Sequence, residues 1–350
     1  MRVFVTGATG LLGRNLLPML VEHGHDVVAL TRSEGRAREF ASPTVRPVVG
    51  DLRAVEGFEA ELRGADVLVH AGACFSEHYA AIQSGSLPFD VNVKGSLALV
   101  EAAYRQGVRN IVYVSSGGVL LASAEHAMDE QSPYDKGTAD PYFQSKIAAE
   151  ETLLSFAKDN PALRLVVIMP SVMLGPNDTA PTPTGRFLTA IMRGEVKFLL
   201  PGSMSIVDAR DVADAIVEAI AHGQSRDRFI VGGRNYPVAQ VITSVARLVG
   251  REPPTRQPPA RLLLGLAHVM GALSRLAHKP APLRVDTLRR LQQNLRWDSR
   301  RAEEVLGVRF RPLEETLRDA VSWFTQEPET RGDAGVRVGA QTAKLRSSSA

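Results

Sequence analysis

The segment VTGATGLLG, residues 5–13, constrains the fold more than any other part of the chain. It overlaps a short apolar run at residues 2–6, which is typical of a buried parallel strand. Leucines then recur at a spacing of four from Leu12 to Leu20, so they share one helix face. A glycine-rich loop between a strand and a helix predicts a dinucleotide site, because the helix N-terminus offers N–H groups and partial positive charge to a pyrophosphate.

Strand and helix patterns alternate through the first half of the chain. Apolar runs predict strands near residues 26–31, 45–49, 66–71, 110–116 and 163–169. Helical patterns between them include residues 87–106 and 141–159. This order predicts an α/β fold, a doubly wound parallel Rossmann sheet with helices on both faces. Ligands of such sheets bind beyond the carboxyl ends of the strands.

The alternation also predicts how the chain divides. Residues 1–170 are expected to form an NAD(P)-binding Rossmann domain, which about residues 206–232 complete. Residues 171–205 and 233–325 are expected to form a smaller, mainly helical substrate-binding lobe, since Pro and Gly interrupt the alternation there. Residues 326–350 are rich in Gly, Ser, Thr, Arg and Glu, and this composition predicts a disordered tail.

Composition excludes several classes of protein. The net charge of +3 comes from basic residues spread along the chain, which argues against nucleic-acid binding. Cys74 is the single cysteine, so a reducing, cytoplasmic location is expected, and Cys74 with His78 gives too few ligands for a metal site. The N-terminus resembles no signal peptide, and apolar runs stay below the roughly 18 residues of a membrane-spanning helix.

Candidate catalytic residues occupy the end of the fifth predicted strand and the start of the following helix. Tyr142 and Lys146 stand four apart, so both side chains face one way, and a nearby ammonium is expected to lower the pKa of the phenol. An exposed Tyr and a surface Lys are the alternative. Ser116 lies at a strand end, where its hydroxyl can hold a substrate oxygen or, alternatively, cap the next turn.

With these motifs the sequence resembles the extended short-chain dehydrogenase/reductases, the NAD-dependent epimerase/dehydratase family, over about residues 1–325. Ser116, Tyr142 and Lys146 match the family's catalytic triad, and the resemblance implies that they are catalytic. The resemblance also implies a set of cofactor contacts, among which Asn92 matches a structural asparagine. These positions are Thr6, Gly7, Gly10, Leu11, Leu12, Gly13, Asp51, Leu52, Ala71, Gly72, Ala73, Asn92, Tyr142, Lys146, Pro170 and Val172.

Two motifs outside the predicted Rossmann domain resemble one branch of this family. The segments PTPTGRF at 181–187 and WDSRRAEEVLG at 297–307 are similar to dihydroflavonol-reductase-like and 3β-hydroxysteroid-dehydrogenase-like proteins, and to hopanoid-associated sugar epimerases. Asp208–Val212 matches the family's returning strand and helix. Trp297 and Trp323 are expected to pack within the substrate lobe.

The end of the second predicted strand favours NADP over NAD. Dinucleotide folds that bind NAD place an acidic residue there, whereas this chain has Thr31 followed by Arg32. A guanidinium suits a 2′-phosphate, so Arg32 is expected to contact the cofactor. If Arg32 merely stacks on adenine, NAD remains possible.

The residues after Ser116 and in the predicted lobe bear on the reaction class. Gly117 and Gly118 follow Ser116, where dehydratases of the family carry an Asp-Glu pair, so dehydration is set aside. Residues 202–206 lack the Arg expected for a sugar diphosphate, although Arg186, Arg193 and Lys197 could serve. The sequence therefore favours an oxidoreductase acting on the carbonyl or alcohol of a small, hydrophobic substrate. A nucleotide-sugar epimerase and a non-enzymatic NADP sensor stay as alternatives.

Two apolar stripes at helical spacing are candidate contact surfaces for a second copy of the chain or for a membrane. The stripe in residues 99–107 suits either core packing or a homodimer interface. Residues 261–277 carry apolar side chains over more than a narrow stripe, with basic residues at both ends. This segment is either a core helix of the lobe or an apolar mouth for a lipid-like substrate that touches a membrane surface.

Overall fold

The computed structural model describes residues 1–75, 87–123, 126–137, 140–276 and 285–326. His78 and the predicted tail from residue 327 lie outside the described residues.

Seven parallel strands form the main sheet, in the spatial order β3-β2-β1-β4-β5-β6-β9. Their bounds are β1 Arg2–Thr6, β2 Asp26–Thr31, β3 Val45–Val49, β4 Val67–His70, β5 Asn110–Val114, β6 Arg164–Pro170 and β9 Arg228–Val231. The strand order reverses between β1 and β4, which end side by side at Thr6 and His70. A crevice at such a switch point is where doubly wound folds bind nucleotides. The predicted fold class is confirmed.

Each face of the sheet is covered by its own apolar layer, because successive strand residues point to opposite faces. In β1, Val3 and Val5 belong to one layer and Phe4 to the other. The first layer includes the leucines of the predicted first helix, which explains their spacing of four. The two layers fix the strands, and their carboxyl ends therefore form one rigid edge.

The helices connect and cover these strands. Their bounds are α1 Leu11–Glu22, α2 Glu34–Arg38, α3 Leu87–Phe89, α4 Ser96–Arg105, α5 Pro141–Asp159, α6 Pro183–Met192, α7 Ala209–His222, α8 Val238–Leu248, α9 Ala260–Leu276, α10 Val285–Gln292, α11 Arg300–Leu306 and α12 Leu313–Thr325. A π-helical turn, Asp90–Gly95, joins α3 to α4 within the helix predicted over 87–106. The apolar stripe of α4 packs inside the chain, with Leu99, Val100 and Ala103 fully buried, as core packing requires.

A second sheet of three strands lies beside the main one, with β8 Ser203–Asp208 between β7 Val172–Leu174 and β10 Arg234–Pro237. The sequence predicts that about residues 206–232 return to the main body of the fold, and at the start of this range β8 pairs with β7 and β10. The return is made by α7, which packs on α1, and by β9, which pairs with β6. A third apolar cluster joins the second sheet to α6, α8 and α12.

The segment predicted over 261–277 is the helix α9. Leu263 and Ala267 on its inner face are buried with Leu288 of α10. Three large apolar side chains lie exposed on its outer face: Leu262, Leu266 and Val269. No helix of the described residues is long and apolar enough to cross a bilayer. The helix therefore combines a core face with an exposed apolar face.

Candidate active site

The glycine loop between β1 and α1 is shaped by close backbone packing. Gly7 has φ of 77°, which favours glycine, and a Cβ there would stand 2.7 Å from the backbone of Ala71. A Cβ at Gly13 would collide with the backbone of Gly7 and Ala8. At Gly10, by contrast, a Cβ would meet only the carbonyl oxygen of Gly7, at 3.5 Å. The space in front of Gly10 is therefore a cradle that a side chain would fill and a phosphate fits.

The first turn of α1 completes this cradle. Gly10 is its N-cap residue, and no side chain among the described residues bonds to the N–H groups at this helix end. The first turn also carries no acidic residue. Leu11 and Leu12 are buried in the core, so only their backbone N–H groups can face a ligand. The uncapped N–H groups and the helix dipole together suit an anionic pyrophosphate.

A buried histidine fixes the end of β1 against the end of β4. His70 is fully buried, and its two ring nitrogens lie 2.7 Å from Thr6 Oγ1 and from Ser96 Oγ. Thr6 Oγ1 also accepts from the N–H of Gly72 at 3.0 Å. Thr6 thus supports the predicted cofactor loop Ala71–Ala73 with its side chain. Burial lowers the pKa of His70 to about 3, so the ring is neutral.

The ends of β2 and β3 place the predicted adenine-side residues near one another. Arg32 is exposed immediately after β2, and Asp51 and Leu52 follow β3. Asp51 accepts hydrogen bonds from the backbone and guanidinium of Arg53 at 2.8 to 3.1 Å. Those bonds, and to a smaller extent the charge of Arg32, lower the pKa of Asp51. The carboxylate is therefore already paired, and the positive charge of Arg32 lies at the same edge.

Asn92 joins the loop after β4 to α5. It is buried in the π-helical turn; its Oδ1 accepts from Cys74 N at 2.6 Å, and its Nδ2 donates to Cys74 O and to Ser145 Oγ. Because its side-chain amide is hydrogen-bonded to Cys74 and Ser145, Asn92 holds the loop after β4 against α5. The structural role that the resemblance implies for Asn92 agrees with these contacts, and its place among the cofactor contacts stays a prediction.

The start of α5 fixes the position of Tyr142. Asp140 caps the helix by accepting from the N–H groups of Tyr142 and Phe143 at 2.9 and 3.1 Å, and Pro141 occupies the first helical position. The ring of Tyr142 lies 4.5 Å from that of Phe75 and 5.1 Å from that of Phe143. The phenol is therefore held between aromatic rings, contrary to the alternative of an ordinary exposed tyrosine.

Lys146 is buried one turn further along α5. Its Nζ donates to Val114 O at the end of β5 at 2.7 Å and lies 4.5 Å from the ring centroid of Tyr113. Burial lowers the pKa of Lys146 to about 7. The expectation that Lys146 lowers the pKa of Tyr142 differs from the structure, in which burial, followed by the nearby Asp140 and Cys74, raises that pKa.

Ser116 lies two residues beyond the carbonyl that Lys146 contacts. Its Oγ accepts from Gly118 N at 3.1 Å and caps a short 3₁₀ turn, which is the capping role named as its alternative. Gly117 O accepts from Nε1 of Trp297 at 2.8 Å. Trp297 therefore supports the proposed catalytic loop and packs against the core of the main sheet, where the sequence predicted packing within the lobe.

The segment after β6 lies at the same edge of the sheet. Pro170 is buried at the end of β6 and Val172 begins β7. Between them, Ser171 Oγ contacts the carbonyl oxygens of Ser205 and Gly232 at 3.1 and 2.7 Å. This segment thus ties the main sheet to the second sheet beside the ends of β5 and β6.

A glycine-lined cradle, a half-buried tyrosine and a buried lysine therefore lie at the carboxyl edge of a Rossmann sheet. Residues 3–232 match the model of the family described as "NAD dependent epimerase/dehydratase family". The chain belongs to this family. The resemblance to extended short-chain dehydrogenase/reductases is thus confirmed, and the chain is an NAD(P)-dependent enzyme of that type.

Similar proteins of the family span nearly the whole chain. "Sterol demethylase protein B" of Methylococcus capsulatus is 29% identical over 93% of this chain and 99% of its own length. "Putative dihydroflavonol 4-reductase" of a Synechocystis species is 30% identical over 92% of this chain and 94% of its own. The crystal structure of PA4631, a nucleoside-diphosphate-sugar epimerase from Pseudomonas aeruginosa, aligns with a TM-score of 0.74 and 25% identity, covering 93% and 97% of the two chains.

None of the three cations that the sequence suggests for a sugar diphosphate lies on α5, the helix that carries Tyr142 and Lys146. Arg186, Arg193 and Lys197 are exposed on or just after α6. The structure instead brings Arg290 of α10 to the site, with its guanidinium 4.2 Å from the ring centroid of Phe143 and 3.4 Å from Gly118 O. Only tertiary packing places Arg290 there, because more than 140 residues separate it from Phe143.

Proposed function

We propose that this enzyme is an NADP-dependent oxidoreductase that reduces a carbonyl, or oxidises the corresponding alcohol, of a small hydrophobic substrate. The observation that carries the proposal is Tyr142, a phenol held between two aromatic rings with its pKa raised by burial. An acid that keeps its proton at neutral pH suits protonation of a carbonyl oxygen. Gly117 and Gly118 beside it offer no carboxylates for dehydration.

The proposed catalytic roles follow from the contacts of the three side chains. A bound nicotinamide dinucleotide would supply the hydride for reduction, or accept it for oxidation. Tyr142 donates its proton to the carbonyl oxygen as negative charge develops there. Ser116 accepts from Gly118 N, which leaves its own hydroxyl proton to donate to the same oxygen. Lys146, when protonated, stabilises the phenolate that Tyr142 becomes and would hold the nicotinamide ribose.

The proposed preference for NADP rests on Arg32. Arg32 comes directly after β2. Folds that bind NAD carry an acidic residue at this place, which binds the 2′-hydroxyl of the adenine ribose. A charge-assisted bond to a 2′-phosphate contributes about 1.5–3 kcal/mol, so Arg32→Ala should lower kcat/KM with NADPH by roughly 10- to 100-fold and change that with NADH little. Arg36→Ala, an exposed arginine on α2, is the matched control. A wild-type preference for NADH would contradict this part of the proposal.

An apolar substrate is supported by the aromatic rings around Tyr142 and by the exposed apolar face of α9. Two relatives, one named for sterol demethylation and one named as a reductase, agree with an apolar substrate. The decisive experiment measures NADPH oxidation with a panel of hydrophobic ketones and aldehydes. Turnover of at least one of them is expected, and no turnover across the panel would contradict an oxidoreductase.

Arg290 supports a second candidate, a nucleotide-sugar epimerase. A guanidinium close to Phe143 and Gly118 could bind a substrate phosphate. Arg290 is partly buried there, and this burial lowers the pKa of its guanidinium. Nuclear magnetic resonance of nucleotide sugars incubated with enzyme and NAD(P) tests this candidate directly. Epimer formation, with nucleotide sugars binding more tightly than apolar ketones, would favour the epimerase over the reductase.

A further inference from the structure

A fully buried glutamate lies on the same face of α5 as the proposed catalytic pair. Tyr142, Lys146 and Glu150 follow one another at a spacing of four, so their side chains line one side of the helix. Glu150 has no exposed surface. Neither the motif pattern nor the proposed mechanism uses this carboxylate.

Three different parts of the fold converge on the Glu150 carboxylate. Ser115 Oγ donates to Oε2, the Tyr134 hydroxyl donates to Oε1 at 3.0 Å, and Arg228 Nε donates to Oε1 at 2.8 Å. Arg228 is also held by the carbonyl of Glu130 and stands 5.1 Å from the ring centroid of Tyr134. A buried charge is tolerated only when it is paired and hydrogen-bonded, and these three donors meet that requirement for the Glu150 carboxylate.

The same contacts connect Glu150 to the end of β5. Val114 O accepts from Lys146, and the next residue, Ser115, donates to Glu150. The last residue of β5 and the residue directly after it are therefore bonded to two successive turns of α5. Ser116 follows directly. The position of Glu150 thus bears on both Lys146 and the strand end that carries Ser116.

We propose that Glu150 is a positioning residue that holds Lys146 in place and keeps it protonated, with Arg228 moderating the negative charge of Glu150. This role rests on the proposed function, because it acts through Lys146. Burial lowers the pKa of Lys146 to about 7, and the charge of Glu150 acts in the opposite direction by raising that pKa. An ammonium at this place is what stabilises a phenolate at Tyr142.

Other titratable groups face this cluster from every neighbouring element. They are His70 on β4, Tyr113 on β5, Glu130 and Tyr134 before α5, Tyr142 on α5 itself and Arg228 on β9. His70 is neutral above a pKa of about 3, and burial raises the pKa of each of the three tyrosines. Burial also raises the pKa of Cys74, which lies near Tyr142, above its ordinary 9.0. Lys146, with a pKa of about 7, is therefore the group of this cluster expected to titrate between pH 6 and 9.

The test uses Glu150→Gln and Arg228→Gln, two changes of opposite sign in one ion pair. The pKa of Lys146 is measured by NMR titration of ¹³Cε-labelled lysine, with the signal assigned by its absence in Lys146→Arg. Glu150→Gln should lower that pKa by about one unit and Arg228→Gln should raise it. Arg228→Lys, which keeps the charge, should restore a value near that of the wild type. Shifts in the same direction, or no shift, would overturn the proposal.

Kinetics give a second readout. For carbonyl reduction, the alkaline limb of the pH profile of kcat/KM should move to lower pH in Glu150→Gln and to higher pH in Arg228→Gln. Glu151→Gln, which removes an exposed carboxylate paired with Lys136, should leave the limb in place. Loss of stability without movement of the limb would show a purely structural role. The NMR titration needs no substrate, so a wild type inactive on all ketones defeats the proposed function and leaves the positioning proposal to be decided by NMR.

Discussion

Tyr142 and Lys146 illustrate what sequence can and cannot foresee about single residues. Their spacing of four predicts a shared helix face, and both lie on α5, where Lys146 contacts the end of β5 and Tyr142 contacts Phe75 and Phe143. The direction of the pKa change of Tyr142 could not be foreseen, since it depends on burial and on Asp140 and Cys74 nearby. The contacts of Lys146 with Val114 and Tyr113 likewise depend on how α5 packs on β5.

Removal of the Tyr142 hydroxyl should stop the reaction without releasing the cofactor. Tyr142→Phe keeps the ring packing against Phe75 and Phe143 but removes the proton donor, so kcat for ketone reduction should fall by about 100-fold or more. NADPH affinity, measured by fluorescence titration, should change little. Tyr104→Phe on α4 is the matched control. Turnover within a few fold of the wild type would show that another group donates the proton.

His70 should make the fold sensitive to acid. Its folded-state pKa of about 3 lies below the ordinary value of 6.5, so between these values the unfolded chain binds a proton that the folded chain does not. Its contribution to stability is fully present above pH 6.5 and is lost as pH falls towards 3, with a slope of at most about 1.4 kcal/mol per pH unit. Urea unfolding between pH 7 and 4.5 should therefore show a shallower decline for His70→Asn than for the wild type.

The exposed His23 at the end of α1 provides the comparison for that experiment. His23→Asn makes the same replacement at an exposed histidine and is the matched control. Equal slopes for His70→Asn and the wild type would mean that the buried imidazole is not the acid-sensitive group.

At the scale of elements, periodicity predicts which helices and strands exist more reliably than it predicts their partners. The first six strands of the main sheet and α5 occur where the apolar patterns indicate them. An apolar strand pattern does not indicate which sheet the strand joins. The pairing of β8 with β7 and β10 in the second sheet could therefore not be predicted from its sequence. The π-helical turn around Asn92 was also hidden, because one extra residue per turn hardly alters a helical pattern.

The glycine loop predicts opposite outcomes for two similar substitutions. Gly10→Ala should leave the melting temperature nearly unchanged, since the new Cβ would touch only Gly7 O at 3.5 Å, but it should weaken NADPH binding about 10-fold or more by filling the cradle. Gly13→Ala should lower the melting temperature markedly, because its Cβ collides with backbone. Thermal melts and fluorescence titrations measure both. Unchanged NADPH affinity in Gly10→Ala would place the phosphates elsewhere.

For the whole molecule, the second sheet and the helices after β9 deliver residues to the edge of the Rossmann sheet. Trp297 bonds to Gly117, and Arg290 of α10 reaches Phe143 and Gly118. α10 in turn packs on α9 through Leu288. Sequence reasoning could place none of these contacts, since each joins segments far apart in the chain. They connect the exposed apolar face of α9 to the proposed catalytic loop through one intervening helix.

The outer face of α9 is expected to guide an apolar substrate towards the site, and to touch a membrane surface if the substrate resides there. Leu266 is 42% exposed whereas Leu263, three residues earlier, is 1% exposed. Leu266→Asp should therefore keep the melting temperature within a few degrees of the wild type, yet raise the KM for hydrophobic ketones several-fold and reduce binding to lipid vesicles. Leu263→Asp should unfold the helix, because it buries an unpaired charge. If Leu266→Asp melts as early as Leu263→Asp, the whole of α9 is core, and if both KM and vesicle binding stay unchanged in a folded Leu266→Asp, the apolar face has no part in substrate capture.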